Sequence, residues 1–213
     1  MEEKKITEEE SITLITEMIS RTKRRYVGNG NILLMWGYLT VAITALVWTL
    51  LATTHNPVWN WLWFLIWIIG GTLTPIMAKK QREKDGVKTY CDSITSKIWS
   101  AVGYSAIAAT FTCLGFLLLA GIDCWSMMLM FALIIVPFAE IAQGIIIKEN
   151  CIVAGGAVGL FAGLLTVGSI AGGIELSASW FMPLFIVAFA AMMIVPGHII
   201  NHKNRVDNKA KHS

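Results

Sequence analysis

The chain has 213 residues, of which 55% are hydrophobic and only 15% are charged, and its formal net charge is +3. A soluble domain carries about 25% charged residues, so this composition excludes an ordinary soluble protein. The basic residues adjoin apolar stretches, which favours contact with anionic lipid over nucleic acid. The 4 cysteines form no Cys-x-x-Cys motif, and the sequence predicts no metal site and no cofactor.

The chain begins with a polar segment, and residues 7–25 predict an amphipathic helix ahead of the membrane. Thr7 and Glu10 have the spacing of a capping box, in which each side chain bonds the other residue's backbone N–H. Such a helix binds anionic lipid or docks a cytoplasmic protein partner. The alternative is that it covers the loops of its own bundle.

Six stretches are long and apolar enough to cross a membrane. A spanning helix needs about 20 apolar residues, because it rises about 1.5 Å per residue across roughly 30 Å of hydrocarbon. The predicted spans are about 31–53, 58–78, 98–120, 126–147, 151–171 and 179–200. The predicted fold is an all-α membrane protein with six transmembrane helices as three helical hairpins. The predicted parts are a cytoplasmic amphipathic helix and linker (1–30), a transmembrane domain (31–200) and a basic cytoplasmic tail (201–213).

The distribution of charge predicts the orientation. All 17 Lys and Arg residues lie in the N-terminal segment, in the loops after the second and fourth spans with their flanks, or in the tail. The other three loops, 54–57, 121–125 and 172–178, contain none. Short basic loops stay in the cytoplasm, so we expect both termini to be cytoplasmic.

Proline and glycine mark the helices that should pack closely. Pro75, Pro137 and Pro196 lie in the second helix of each hairpin and predict kinks, because proline leaves the carbonyl four residues upstream without its N–H donor. The fifth span has a G-x-x-x-G-x-x-x-G stripe, the pattern that lets helix backbones approach closely. It consists of Gly155, Gly159 and Gly163. The stripe favours packing inside the bundle, and homo-oligomerisation is the alternative.

One acidic residue, Glu140, lies well inside an apolar span, about 12 Å from its predicted cytoplasmic end at about 1.5 Å per residue. An ionisable group in the membrane marks a functional site by default. We therefore expect a polar pocket open to the cytoplasm, formed by Glu140, Gln143, His198, Asn201 and Thr74. The alternative is that Glu140 pairs with a nearby base, His198 or Lys148, only to satisfy itself.

The tryptophans predict both an interfacial belt and internal contacts. Trp36 and Trp99 fall near inner ends of spans, where an amphipathic ring suits the headgroup layer. Trp63 and Trp67 lie deeper and should pack against neighbouring helices.

Three short segments resemble a known group of proteins. They are Glu8-Glu9-Glu10-Ser11-Ile12 with Glu17-Met18-Ile19, Leu34-Met35-Trp36-Gly37-Tyr38, and Pro196-Gly197-His198-Ile199-Ile200-Asn201. Together they resemble the uncharacterised small six-span inner-membrane proteins of Bacteroides-like bacteria. That resemblance implies location and architecture only.

No enzyme signature is present, which favours a protein without catalytic activity. Two functions remain. The first is a non-catalytic signalling or scaffolding component that acts through its cytoplasmic helix. The second is a small transporter or channel whose polar pocket contains Glu140 and His198.

Overall fold

The computed structural model describes residues 12–13, 30–85 and 90–209, and these residues form a bundle of apolar helices. The predicted helix over 7–25 lies outside the described residues apart from 12 and 13. In chain order the helices are α1 (Asn31–Thr54), a 3₁₀ turn (Pro57–Trp63) leading into α2 (Phe64–Asp85), α3 (Tyr90–Ala120), α4 (Ser126–Ile147), α5 (Asn150–Ala171), α6 (Ala178–Phe189), a π-helical segment (Ala190–Ile194) and α7 (Val195–Lys209).

The all-α, six-span fold expected from the sequence is confirmed. The described residues contain 6 helices long and apolar enough to cross a membrane. Their bounds follow the predicted spans closely, with three differences. Helix α2 ends at Asp85 instead of 78, α3 starts at Tyr90 instead of 98, and the last span continues through α7 to Lys209 instead of ending at 200. All three extensions are polar, so hydropathy does not reveal them, although a helix can continue past the membrane surface.

The six spans are arranged as a ring in chain order. Each span packs on the next, and the last span, formed by α6, the π segment and α7, packs on α1. The interface between α2 and α3 is the exception, because in the described part of the chain these two helices are not among the closely packed pairs. Helix α2 is held by α1 and α3 is held by α4, so the ring is open on this side.

Glycines bring the closed side of the ring together. A Cβ atom on Gly163 would fall on the backbone carbonyl of Leu133, and one on Gly159 would lie 2.5 Å from the Met192 sulfur and 2.9 Å from the Pro137 ring. The glycine stripe therefore faces α4 and the π segment inside the bundle. Only glycine allows these backbones to approach so closely, and van der Waals contact at such positions holds membrane helices together.

Two of the predicted prolines lie at these close contacts. Pro137 leaves the carbonyl of Leu133 without its helical donor, and that carbonyl lies against Gly163. Likewise the carbonyl of Met192, four residues before Pro196, lies 2.9 Å from the position of a Cβ on Gly155. The backbone oxygens that proline leaves without a helical donor therefore lie at the close contacts with glycine.

Candidate functional site: a lateral cleft between α2 and α3

A cleft of about 1300 Å³ lies inside the ring and is bordered by α2 and α3, the two neighbouring spans that are not closely packed. On the last span its lining extends from Ala178 to Ile200, about 33 Å at about 1.5 Å per residue. That length matches the hydrocarbon thickness of roughly 30 Å. Small-molecule pockets measure about 300–1,000 Å³, so the cleft has room for a larger, elongated molecule.

The middle of the cleft is apolar and aromatic. Trp67, Leu129, Val136 and Phe185 line it from three different spans. The rings are in contact with their neighbours: Trp67 meets Trp36 edge to face at 6.3 Å between centroids, and Trp63 meets Phe185 at 5.7 Å. Trp63 and Trp67 therefore pack against neighbouring helices, as the sequence predicted.

Two tryptophans fix the predicted polar residues at the wall of the cleft. The indole Nε1 of Trp36 donates to Thr74 Oγ1 at 2.9 Å, and Thr74 in turn donates to the carbonyl of Gly70 at 2.6 Å. Trp99 Nε1 donates to Gln143 Oε1 at 2.7 Å. All four side chains line the cleft. Trp36 and Trp99, which the sequence placed in the interfacial belt, instead turn inward and bond across to the next helix.

The two ends of the cleft are polar, and one of them is flanked by basic residues. At the end near the α2–α3 loop, Gln81, Asp92 and Ser96 line the cleft. Lys79, Lys80 and Lys97 are not part of the lining but are exposed next to these residues in the chain. We refer to this as the basic end. At the opposite end, Asn60, Asp123 and Ser126 are part of the lining.

An aromatic cluster closes the wall at the opposite end. The Trp125 ring lies 6.2 Å from Trp61 and 5.6 Å from Phe64, measured between centroids. These contacts join the start of the second span to the start of α4. This end of the wall is therefore closed by ring contacts, whereas the side between α2 and α3 lacks close helix packing.

Glu140 lies elsewhere, in the packed part of the bundle, and does not line the cleft. Its side chain is fully buried, and neither carboxyl oxygen has a hydrogen-bond partner among the described residues. The alternative that Glu140 pairs with His198 or Lys148 is therefore wrong.

The other two residues of the predicted pocket are engaged separately. His198 is exposed on the last span, and its Nε2 is hydrogen-bonded to the Tyr38 hydroxyl at 2.8 Å. Asn201 accepts from the backbone N–H of Gly30 at 2.9 Å and donates to Asn31 Oδ1 at 2.8 Å, so it fastens the last span to the start of α1. The five predicted residues do not form one pocket. Thr74 and Gln143 line the cleft, while Glu140, His198 and Asn201 lie apart from it.

The fold and the cleft define a class: a multi-pass α-helical membrane protein with a largely apolar cleft between its spans. Comparisons of the chain with protein-family models, with curated proteins and with solved structures found no match. The function must therefore be argued from the cleft and the bundle themselves.

Proposed function

We propose that this protein is a non-catalytic membrane component that binds an anionic, lipid-like amphiphile in the cleft between α2 and α3. The observation that carries the proposal is the shape and chemistry of the cleft. It is apolar through its middle, as long as the bilayer is thick, bordered by two spans that are not closely packed and flanked by lysines at one end.

The basic end supplies the charge complementarity. A Lys or Arg near the membrane surface attracts an anionic headgroup by about 1 kcal/mol. Lys79, Lys80 and Lys97 together therefore favour an anionic over a neutral headgroup by up to about 3 kcal/mol, or roughly 100-fold in affinity. Asp92, which lines the same end, offsets part of this attraction. Trp36 and Trp99 place the polar groups of Thr74 and Gln143 just inside this end, beside the first part of an acyl chain.

The apolar middle favours binding over transport of a charged molecule. A charged group at the centre of a bilayer costs at least about 2.5–3.5 kcal/mol, and the lining there, which includes Trp67, Val136 and Phe185, offers it no charged partner. The transporter alternative requires such a path. It would gain support only if flux into proteoliposomes were measured.

The scaffold function rests on the sequence of residues 7–25. The scaffold function is compatible with lipid binding, because a change in the bundle on lipid binding can be passed on to the cytoplasmic helix that is attached to it. Deletion of residues 1–25 separates the two: the truncated protein should lose partner binding but keep its lipid.

We further propose that the protein lies in a bacterial inner membrane with both termini in the cytoplasm, because short basic loops are retained there. The basic end of the cleft then faces the cytoplasmic leaflet.

Two glycines offer a direct test of the cleft. Gly71 of α2 and Gly103 of α3 both line it, and a Cβ at either position has no neighbouring heavy atom within 4 Å. A leucine there should fill the cleft without disturbing the fold. Gly115 is the matched control, because it lies on the same helix as Gly103, has equally open space and does not line the cleft.

The measurement is native mass spectrometry of the purified protein titrated with phosphatidylglycerol or with phosphatidylcholine of the same acyl chains. Filling an occupied site costs about 1–3 kcal/mol, so Gly103→Leu and Gly71→Leu should weaken phosphatidylglycerol binding roughly 5- to 150-fold. Gly115→Leu should bind as the wild type does. Equal binding by all three variants would show that the cleft is not the site.

A further inference from the structure

The most deeply placed ionisable group of the described chain lies outside the proposed lipid site. Glu140 belongs to the turn 137–141 of α4, which packs on α5: a Cβ on Gly156 would lie 2.8 Å from both the Pro137 carbonyl oxygen and the Ile141 side chain. At the same level the Met192 sulfur of the π segment meets Gly159. Glu140 is therefore on the turn where three elements, α4, α5 and the π segment, meet.

The surroundings of Glu140 disfavour the ionised form of its carboxyl group. An ionised carboxylate buried without a partner is strongly disfavoured in an apolar medium. Both oxygens of Glu140 are shielded from solvent, and neither accepts a hydrogen bond from any described residue. The neutral acid is the form that fits here, because it carries no charge and burying it costs far less than burying a carboxylate.

The titratable groups on the neighbouring elements have other partners or lie at other depths. At the end of α4, Lys203 and Cys151 both bond Glu149, at 2.7 Å and 3.7 Å. His198 bonds Tyr38, and His202 is exposed at the end of the last span. On α3, the Cys113 thiol donates to the Cys124 carbonyl at 3.5 Å, while Asp92, Lys97 and Tyr104 are exposed. In the described ranges none of them hydrogen-bonds to Glu140 or forms an ion pair with it.

We propose that Glu140 is a proton-binding site, and that its proton is exchanged only when the last span moves away from α4 and α5. The packed bundle binds the proton. Loss of the proton places a charge in the interface, and this opens the contact between the glycine stripe and the π segment. The π segment suits such a movement, because π-helical turns are rare and occur frequently at functional sites.

The test is the pH dependence of stability. In the packed state Glu140 keeps its proton, whereas in the unfolded state it is solvated and ionises at ordinary carboxyl pH. The unfolded state therefore binds fewer protons over that range, and stability must fall as pH rises. Glu140→Gln mimics the neutral acid, so it should remain folded and lose this part of the pH dependence. Glu175→Gln is the control, since Glu175 is an exposed carboxyl in the loop before α6, and it should keep the wild-type profile.

A second measurement uses only the wild-type protein, so it does not depend on whether a variant folds. Infrared spectra of the wild-type protein at neutral pH should contain the carbonyl band of a protonated carboxyl group, and that band should be lost on alkaline titration together with the packed state. Absence of the protonated-carboxyl band at neutral pH would overturn the proposal. So would a Glu140→Gln variant with the wild-type pH profile, or one that unfolds at every pH. These outcomes leave the lipid-binding proposal unaffected, because the cleft variants test it separately.

Discussion

The glycine stripe of α5 gives the sharpest prediction about what holds the bundle together. A methyl group at Gly163 would fall on the carbonyl of Leu133, which is backbone and cannot rotate away. Overpacking of this kind costs about 1–3 kcal/mol, while replacing glycine by alanine inside a helix returns about 0.5–1 kcal/mol. Gly163→Ala should therefore destabilise the bundle by about 1 kcal/mol net.

Gly168 is the matched control on the same helix. A Cβ there has no neighbouring heavy atom within 4 Å, so only the gain in helix propensity applies. Gly168→Ala should be neutral or stabilising by up to about 1 kcal/mol. The assay is equilibrium unfolding in mixed micelles of rising dodecyl sulfate fraction, followed by far-ultraviolet circular dichroism. If the two variants changed stability equally, the close contact of α5 with α4 would be refuted.

The remaining predictions concern charge and orientation. Replacing Lys79, Lys80 and Lys97 together by Gln should lower the preference for phosphatidylglycerol over phosphatidylcholine by up to about 100-fold. Lys148→Gln is the control, at an exposed site on the loop between α4 and α5, and it should leave this preference unchanged. An equal loss in both variants would attribute the preference to the general surface charge of the protein. Cys124 should react with a membrane-impermeant maleimide added outside intact cells, and reaction only after lysis would reverse the proposed topology.

The spans could be predicted because their signal is local. A helix that crosses hydrocarbon needs a fixed length of apolar residues, and hydropathy reads that length directly. The polar ends of α2, α3 and α7 were missed for the same reason: beyond the membrane the helix continues on residues such as Ser96 or Lys203, which hydropathy does not distinguish from a loop.

The candidate pocket could be predicted only in part. Glu140 could be recognised because an acidic residue is conspicuous in an apolar span. The inward-facing side of each helix could not be recognised, because lipid is as apolar as a protein core and the pattern of leucine and isoleucine is the same on both sides. His198 lies at a similar depth and was grouped with Glu140 for that reason. The structure places it on an exposed face, where Tyr38 is its partner.

The cleft had no signal in the sequence that could be recognised beforehand. Its lining comes from all six spans, and its existence depends on one missing interface. Trp36 and Trp99 had an equally good explanation as interfacial anchors. The small residues that line α2 and α3, such as Gly71 and Gly103, are common in membrane helices whether they are packed or not.

The central claim, that the cleft holds a lipid-like molecule, is tested most directly by a phosphatidylglycerol with a photoreactive diazirine in its acyl chain. After irradiation in proteoliposomes, the labelled peptides are mapped by mass spectrometry, with unlabelled phosphatidylglycerol as competitor. We predict competable labelling at Leu129, Val136 and Phe185, which line the cleft, and non-competable labelling at Phe111 and Leu119, which are exposed on α3. Labelling confined to the exposed positions would contradict the account.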